Sequence, residues 1–153
     1  MTMKIVLGAD HGGVGLKEAV KHWLAGQANG LSFEYEVEDK GTHSEASCDY
    51  PDFARLVAVD VAAGKADRGI VFCGTGIGVA IAANKIKGIR AAVCGDAYSA
   101  RMCRQHNDAN ILTLGERVTG KGLALDIVKT WLETAFEGGR HQVRVDKIMA
   151  LEE

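Results

Sequence analysis

The sequence predicts an α/β fold in which helices cover both faces of one parallel sheet. The main observation is that short apolar runs, typical of strands, alternate five times with longer segments of helical periodicity. A second observation is the segment IVFCGTGIGVAIAANK at residues 70–85, where a strand, a glycine-rich turn and a helix follow one another. The chain has 153 residues, enough for one substantial core, and we expect a single domain over residues 1–153.

The five predicted strands are short runs of apolar and β-branched residues. The second run alternates apolar residues with Glu, which favours a position near an edge of the sheet. We expect the strands, in chain order, at residues 4–9, 33–37, 68–72, 90–94 and 110–114.

Six helices are predicted, the first and fifth from apolar residues that fall on one helical face and the third from an alanine-rich run. In chain order, they are expected at residues 14–25, 52–63, 79–86, 97–105, 120–134 and 142–151. The buried face of the first helix should consist of Leu16, Ala19, Val20, Trp23 and Leu24. The buried face of the fifth should consist of Leu123, Ile127, Val128, Trp131 and Leu132.

The composition argues against several classes of protein. The formal net charge is −2, so we expect no polyanion-binding face and no nucleic-acid partner. The four cysteines lack C-x-x-C spacing, which argues against a zinc knuckle or a disulfide framework and favours reduced thiols in the cytoplasm. The first apolar run is interrupted at Asp10 and His11, unlike a signal peptide, and no window is long enough to span a membrane.

The predicted topology gathers polar groups at one edge of the sheet, because ligands of open parallel sheets bind where the strands end. Asp10 and His11 follow strand one, and the 41–50 loop, which ends at Tyr50, follows strand two. Residues 73–78 follow strand three, and residues 115–117, which include Arg117, follow strand five. His106, Asn107 and Arg140 instead follow helices, so they should lie at the opposite edge of the same chain. If they serve the same site, a second chain supplies them, and we therefore expect a dimer with sites at its interface.

Cys73 is the candidate reactive residue, because it ends a strand beside a glycine turn and a helix N-terminus. That position favours negative charge and lowers the pKa of a thiol. A thiolate there suits proton abstraction next to a carbonyl, while the N–H groups of residues 74–78 stabilise an enediolate oxygen and the Thr75 hydroxyl passes a proton between oxygens. The alternatives are an inert buried cysteine and a threonine that bonds to the local backbone.

Other interpretations stay open on the residues alone. The G-x-G-x-G turn resembles a dinucleotide fingerprint with Asp96 as its ribose-binding acid, but its third glycine comes one residue early and it follows the third strand, so a nicotinamide cofactor is not favoured. Asp10 with His11 could shuttle protons, or Asp10 could cap the turn into the first helix. Arg140 and Arg144, four residues apart, are either a phosphate clamp or a solvated basic face.

Seven motifs occur in order along residues 4–151, namely G-x-D-H-x-G, D-K-G-T followed by D-Y-P, C-G-T-G-I-G, A-A-N-K, G-I-R-A, S-A-R-x-x-R-Q-H-N-D-A-N and G-G-R-H-Q-x-R. Together they resemble the type B ribose-5-phosphate isomerases, a family shared with bacterial galactose-6-phosphate and allose-6-phosphate isomerases. The resemblance implies a Rossmann-like three-layer sandwich with a five-stranded parallel sheet and a C-terminal helix that packs on a partner subunit. It also implies a homodimer or tetramer with shared sites, a sugar phosphate as substrate, and no metal or organic cofactor.

The reaction implied by this resemblance is aldose–ketose isomerisation through a cis-enediolate, with ribose 5-phosphate and ribulose 5-phosphate as the expected pair. Cys73 matches the base that moves a proton between C2 and C1, Thr75 matches the assisting hydroxyl, and His106 with Asp10 matches the group that opens the furanose ring. The stabilising turn matches Gly74, Thr75, Gly76, Ile77 and Gly78. The remaining substrate and phosphate contacts match His11, Tyr50, Asn107, Arg117, Arg140 and Arg144.

The chain departs from the family pattern at one position that bears on the catalytic base and in the length of one segment. One branch of the family uses a glutamate base in the helix after the turn, where this chain has Val79, so Cys73 is the expected base. The 27–36 segment is longer than usual, and the 43–48 loop varies among members.

Two alternative functions remain: isomerisation of a six-carbon aldose 6-phosphate, and a non-catalytic phosphate- or nucleotide-binding subunit. The joint presence of Cys73, Thr75 and His106 argues against the second.

Overall fold

The computed structural model describes residues 1–152, and its centre is a sheet of five parallel strands. The strands lie in the order β2-β1-β3-β5-β4, so the two ends of the sheet are β2 and β4. Their bounds are β1 Met3–Ala9, β2 Tyr35–Asp39, β3 Arg68–Cys73, β4 Ala91–Val93 and β5 Ile111–Gly115. The register pairs Ala9 with Phe72 and Cys73 with Gly115, so three neighbouring strands end close together. The expected parallel α/β sheet is thereby confirmed.

Residues 1–152 contain six α-helices and short 3-10 turns at Gln27–Asn29 and Ala150–Glu152. The helices are α1 Val14–Ala25, α2 Tyr50–Ala62, α3 Ile77–Ala83, α4 Ala97–Asn107, α5 Lys121–Glu133 and α6 Arg140–Met149. One buried cluster joins α1, α4 and α5 to the sheet and includes Leu16, Val20, Ile127 and Trp131. A second cluster joins α2 and α3 to the other face. Two helical layers therefore enclose the sheet, as predicted.

Several predicted boundaries differ from the observed ones. Strand β2 runs over Tyr35–Asp39 instead of 33–37, because its pairing with β1 begins at Tyr35 opposite Met3. Helix α2 begins at Tyr50, since Pro51 is compatible with a first helical turn. Helix α3 covers Ile77–Ala83 instead of 79–86, because the glycine turn itself leads directly into the helix. Helix α6 begins two residues earlier than predicted, at Arg140.

The predicted core face of α5 was wrong at one position. Leu123 is 44% exposed, whereas Ile127, Val128, Trp131 and Leu132 are buried. Leu123 lies in the first turn of the helix, and the layer formed with α1 and α4 does not cover it there. In α1, Leu16, Val20 and Leu24 are buried as predicted, with Ala19 and Trp23 half-buried.

Helix α6 packs against α4 of its own chain through two buried side chains, His141 and Val145. The turn that follows it reaches the Gly88 loop, where the Glu152 carboxylate accepts the Gly88 N–H at 3.0 Å. Packing of this helix on a partner subunit stays a prediction. None of the helices in residues 1–152 combines the length and the apolarity that a membrane crossing requires.

A buried ion pair joins α1 to the end of β2. The Lys17 ammonium is fully buried and lies 2.6 Å from the Asp39 carboxylate, which Lys21 also contacts at 3.0 Å. Burial alone would raise the pKa of Asp39, but hydrogen bonds from Lys17, the Gly41 N–H and Lys21 together hold that pKa below its ordinary value. The pair thus fixes the start of the loop that leads from β2 to Tyr50.

Candidate active site

Cys73 is the last residue of β3 and is 5% exposed. Its sulfur accepts a hydrogen bond of 3.0 Å from the backbone N–H of Gly76, and its carbonyl accepts the N–H of Glu116 at 2.9 Å. The N–H of Gly76 therefore positions the Cys73 sulfur over the glycine turn, and the N–H of Glu116 fixes the backbone of Cys73.

The turn after Cys73 needs glycine at specific points. Gly76 has a φ of +80°, and a Cβ there would lie 2.9 Å from the carbonyl carbon of Leu114. Only glycine adopts this conformation without strain, so the close packing of the turn on β5 depends on it. Within residues 1–152, the N–H groups of Gly74, Thr75 and Gly78 donate to no protein acceptor. These N–H groups form a small set of donors that can receive an anionic oxygen.

Thr75 sits exposed on this turn, and its hydroxyl accepts the N–H of Ile77 at 3.2 Å. The local backbone bond that we named as an alternative is thus present. It uses one lone pair of the oxygen and leaves the hydroxyl proton free to reach a ligand.

Asp10 and His11 lie at the end of β1, beside Phe72 of β3. The buried Asp10 carboxylate accepts the Gly12 N–H at 2.9 Å, so it stabilises the turn before α1. The His11 Nδ1 accepts the N–H of Cys48 at 3.2 Å, which joins the loop after β2 to the loop after β1. Since Nδ1 is an acceptor, the proton of the neutral ring is on Nε2, which can donate to a ligand.

The cap of α1 comes from a residue that sequence analysis gave no such role. The Glu116 carboxylate accepts the N–H of Leu16 at 2.5 Å, whereas Asp10 bonds only ahead of the helix. No local signal identifies this cap, because one hundred residues separate its two partners.

Arg117 and Tyr50 border the turn from two sides. A Cβ at Gly74 would lie 3.1 Å from Nη1 of Arg117, and one at Gly12 would lie 3.5 Å from Nη2, so the guanidinium packs against both backbones. A Cβ at Gly78 would lie 2.6 Å from the Tyr50 ring. Every residue predicted for this edge of the sheet is therefore brought to it: Asp10, His11, Tyr50, Cys73, Gly74, Thr75, Gly76, Ile77, Gly78 and Arg117.

The other predicted residues lie elsewhere in the chain. Helix α4 starts beyond the carboxyl end of β4 and runs back, so His106 and Asn107 at its end lie at the opposite edge. Arg140 and Arg144 are exposed on α6, which packs against α4. Within one chain these four side chains are not part of the group around Cys73, in agreement with the predicted placement.

Sequence analysis missed the partner of His106. The His106 ring stacks on the His141 ring, with centroids 4.2 Å apart and planes 12° apart. The Glu137 carboxylate lies 3.8 Å from His106 Nε2 and 3.9 Å from His141 Nε2. Burial lowers the pKa of His141, and the neighbouring His106 and Arg140 charges lower it further. The available signal was the G-G-R-H motif, in which only the arginine was assigned a role.

Among residues 1–152, two groups of side chains are close enough to hold a metal ion by distance alone. They are His106, Glu137 and His141, and at the other end of the sheet Glu18, Asp39 and His43. In the second group, Asp39 already pairs with Lys17 and Lys21. Neither group includes Cys73 or the glycine turn.

Comparison with known proteins connects this geometry to a family. The family model described as Ribose/Galactose Isomerase matches residues 5–148. The ribose-5-phosphate isomerase B of Escherichia coli (strain K12) is 50% identical over 150 residues, which are 98% of this chain and 97% of the relative. The solved structure of the Clostridium thermocellum ribose-5-phosphate isomerase B is 58% identical, with a TM-score of 0.92 over 98% of this chain and 97% of that one.

A third relative was solved with a sugar phosphate. The ribose-5-phosphate isomerase B of Mycoplasma genitalium with bound ribulose-5-phosphate is 42% identical, with a TM-score of 0.90 over 99% of this chain and 97% of that one. Sequence and fold therefore agree with those of the relatives along nearly the whole chain. This chain therefore belongs to the ribose/galactose isomerase family.

Proposed function

We propose that this chain is an aldose–ketose isomerase that interconverts ribose 5-phosphate and ribulose 5-phosphate without a cofactor. The observation that carries the proposal is the Cys73 sulfur at the end of β3, hydrogen bonded to the glycine turn in a chain of this family. The choice of a five-carbon substrate is supported by the name of the Escherichia coli relative and by the ligand of the Mycoplasma genitalium relative.

The proposed cycle begins with opening of the furanose ring by His106, assisted by Asp10. The Cys73 thiolate then takes the proton from C2 of the open aldose, and the electron pair of that C–H bond forms the C1–C2 double bond of the enediolate. The open N–H groups of Gly74, Thr75 and Gly78 support this step, because they can stabilise the oxyanion. The Thr75 hydroxyl moves a proton between O1 and O2, and Cys73 returns its proton to C1 to give the ketose.

Binding of the phosphate is proposed for His11, Arg117, Arg140 and Arg144, with Asn107 and Tyr50 contacting the sugar. Arginine binds phosphate through two parallel N–H bonds, which also fixes orientation. Binding energy from the phosphate then positions C1 and C2 over Cys73, which lowers the entropy cost of the proton transfer.

We further propose that the enzyme is a homodimer whose sites are shared. The support is geometric. In one chain, Cys73 lies at one edge of the sheet, and the matched substrate contacts lie at the opposite edge, namely His106, Asn107, Arg140 and Arg144. A site that uses both sets must therefore combine two chains. Ile77 and Ile81, one turn apart on α3, are 54% and 59% exposed, and such an apolar surface beside a site is typical of an interface. A cytoplasmic location is expected, because all four cysteines are free thiols.

A second candidate substrate is a six-carbon aldose 6-phosphate, since the family description also includes galactose isomerases. Residues 43–47 are exposed and lead to Cys48, which bonds His11, so this loop is placed to limit substrate length. The deciding experiment compares kcat/KM for ribose 5-phosphate, allose 6-phosphate and galactose 6-phosphate, and follows deuterium from D₂O into the product. A higher kcat/KM for a six-carbon substrate would overturn the five-carbon choice. Absence of both turnover and exchange would support a non-catalytic binding subunit instead.

A further inference from the structure

Two buried thiols lie in contact on the opposite face of the sheet from the cluster that contains Cys73. Cys94 follows β4, Cys103 lies on α4, and their sulfur atoms are 3.9 Å apart. Their residues are 2% and 7% exposed. Nothing in the proposed isomerase cycle uses either of them.

The surroundings of Cys103 favour its thiolate. The indole N–H of Trp131 is buried and makes no hydrogen bond among residues 1–152, while the Cys103 thiol donates to the Ala100 carbonyl at 3.3 Å. The Arg68 guanidinium stacks over the Trp131 ring at 5.2 Å, and Arg104 is buried next to Cys103 in the chain. The charges of these two guanidinium groups lower the pKa of Cys103.

The hydrogen bond between the two sulfur atoms changes the pKa of each thiol in opposite directions. The hydrogen bond donated by the Cys94 thiol lowers the pKa of Cys103, as do the charges of Arg104 and Arg68, while burial opposes them. The pKa of Cys94 is raised, first by its hydrogen bond to Cys103 and then by burial. Such a pair combines a nucleophilic thiolate with a resolving thiol.

We propose that Cys94 and Cys103 are a modification site at which a peroxide converts the two thiols into a reversible intramolecular disulfide. The Cys103 thiolate attacks one oxygen of hydrogen peroxide, the O–O bond breaks, and Cys103 sulfenic acid and hydroxide form. The Cys94 sulfur then attacks the Cys103 sulfur, the S–O bond breaks, and protonation of the leaving oxygen gives water. Two thiols and one peroxide thus yield one disulfide and two waters.

Closure of this disulfide needs only a local adjustment. The sulfur atoms must approach from 3.9 Å to about 2.05 Å, which side-chain rotation and a small shift of α4 can supply. The bond would tie the end of β4 to α4, three residues before His106. The inference is independent of the proposed isomerase function, because it concerns only the oxidation of this pair.

The test uses the C48S/C73S double variant, in which the pair is the only source of thiols. After treatment with hydrogen peroxide, we expect the intact mass to fall by about 2 Da and to be restored by dithiothreitol. Because Cys73 is buried, this variant must first show native circular dichroism. If it does not fold, tryptic mapping of the wild-type chain serves instead, since cleavage after Arg90, Arg101 and Arg104 separates Cys94 from Cys103. A disulfide-linked pair of peptides 91–101 and 102–104 is then expected.

Matched controls add C94S or C103S to the double variant. With C94S, we expect dimedone to trap the sulfenic acid of Cys103. With C103S, we expect dimedone to label Cys94 after peroxide treatment at least about tenfold more slowly than it labels Cys103 in the C94S control, because little of the Cys94 thiol is ionised. The proposal is overturned if the pair gains oxygen without losing about 2 Da, if the disulfide joins two chains, or if Cys94 labels as fast as Cys103.

Discussion

The backbone N–H of Gly76 donates to the sulfur of Cys73 across 3.0 Å, so the turn that would bind the enediolate also orients the base. The sulfur and the open N–H groups belong to the same short loop. Proton abstraction and oxyanion stabilisation therefore depend on one local backbone conformation.

Replacement of Cys73 by alanine should abolish isomerisation and leave substrate binding largely intact. The loss should exceed about 10²-fold in kcat, which is the lower range for a general base, because Ala has no group to take the C2 proton. Steady-state kinetics and calorimetric titration with ribose 5-phosphate measure the two quantities. Cys103→Ser is the matched thiol control and should keep wild-type kcat. Turnover of Cys73→Ala at the wild-type rate would disprove the assigned base.

Mixed dimers test whether sites are shared between chains. We expect Cys73→Ala and His106→Asn each to be inactive alone, and random mixing to restore about a quarter of wild-type activity, since half of the dimers have one intact site. The measurement is turnover after the two variants are unfolded together and refolded. If the mixture stays as inactive as its components, Cys73 and His106 do not act in one site across the interface.

Gly76→Ala should destabilise the chain by about 1–3 kcal/mol, because φ is positive there and the added Cβ meets the carbonyl carbon of Leu114. Urea unfolding monitored by circular dichroism measures the change. Gly122→Ala is the control, since Gly122 lies within α5 and an added Cβ would meet no atom within 4 Å. We expect it to stabilise the chain by up to about 1 kcal/mol. Equal effects of the two substitutions would contradict the backbone argument.

Glu116→Ala should lower stability by about 1 kcal/mol, because the Leu16 N–H at the start of α1 loses its acceptor. Glu133→Ala, at the exposed end of α5, provides the control and should change stability by less than about 0.5 kcal/mol. Urea unfolding again gives the measurement. A Glu116→Ala variant as stable as the wild type would show that the long-range cap contributes nothing.

Asp39→Asn should cost about 1–3 kcal/mol at neutral pH, because the buried Lys17 ammonium then keeps only the half-exposed Glu18 carboxylate as an anionic partner. The pKa of Asp39 is lower in the folded chain than in the unfolded chain. Its stabilisation is therefore complete above the unfolded pKa and is lost as the pH falls through the folded value. The difference in unfolding free energy between Asp39→Asn and the wild type should thus shrink below about pH 4.

The control for this pair is Asp126→Asn on the exposed face of α5. It should change the free energy of unfolding by less than about 0.5 kcal/mol at neutral and at acidic pH. Denaturant titrations at pH 7 and at pH 3 provide the comparison. A constant difference between Asp39→Asn and the wild type across that range would mean that Asp39 does not titrate as described.

The sequence was sufficient to predict which strands and helices follow one another along the chain, because the composition and periodicity of each segment indicate its type. It was also sufficient to predict the residues at the carboxyl edge, because parallel strands end at the same edge of a sheet. Contacts between distant segments were not predictable in the same way. The Glu116 cap on Leu16 and the Lys17–Asp39 pair leave no local pattern, since they depend on how loops meet after folding. The His106–His141 stack needed the packing of α6 on α4, which periodicity does not specify.

The loop after β5 serves two neighbours with adjacent residues: Glu116 caps α1, and Arg117 packs on the glycine turn. An insertion there would uncap a helix and also move the arginine that we propose binds phosphate, so this loop is poorly suited to evolutionary change in substrate range. Residues 43–47 are exposed and lead to Cys48, whose N–H donates to His11. Laboratory evolution toward longer or shorter sugars should therefore accumulate substitutions and length changes in that loop first, while residues 115–117 stay unchanged.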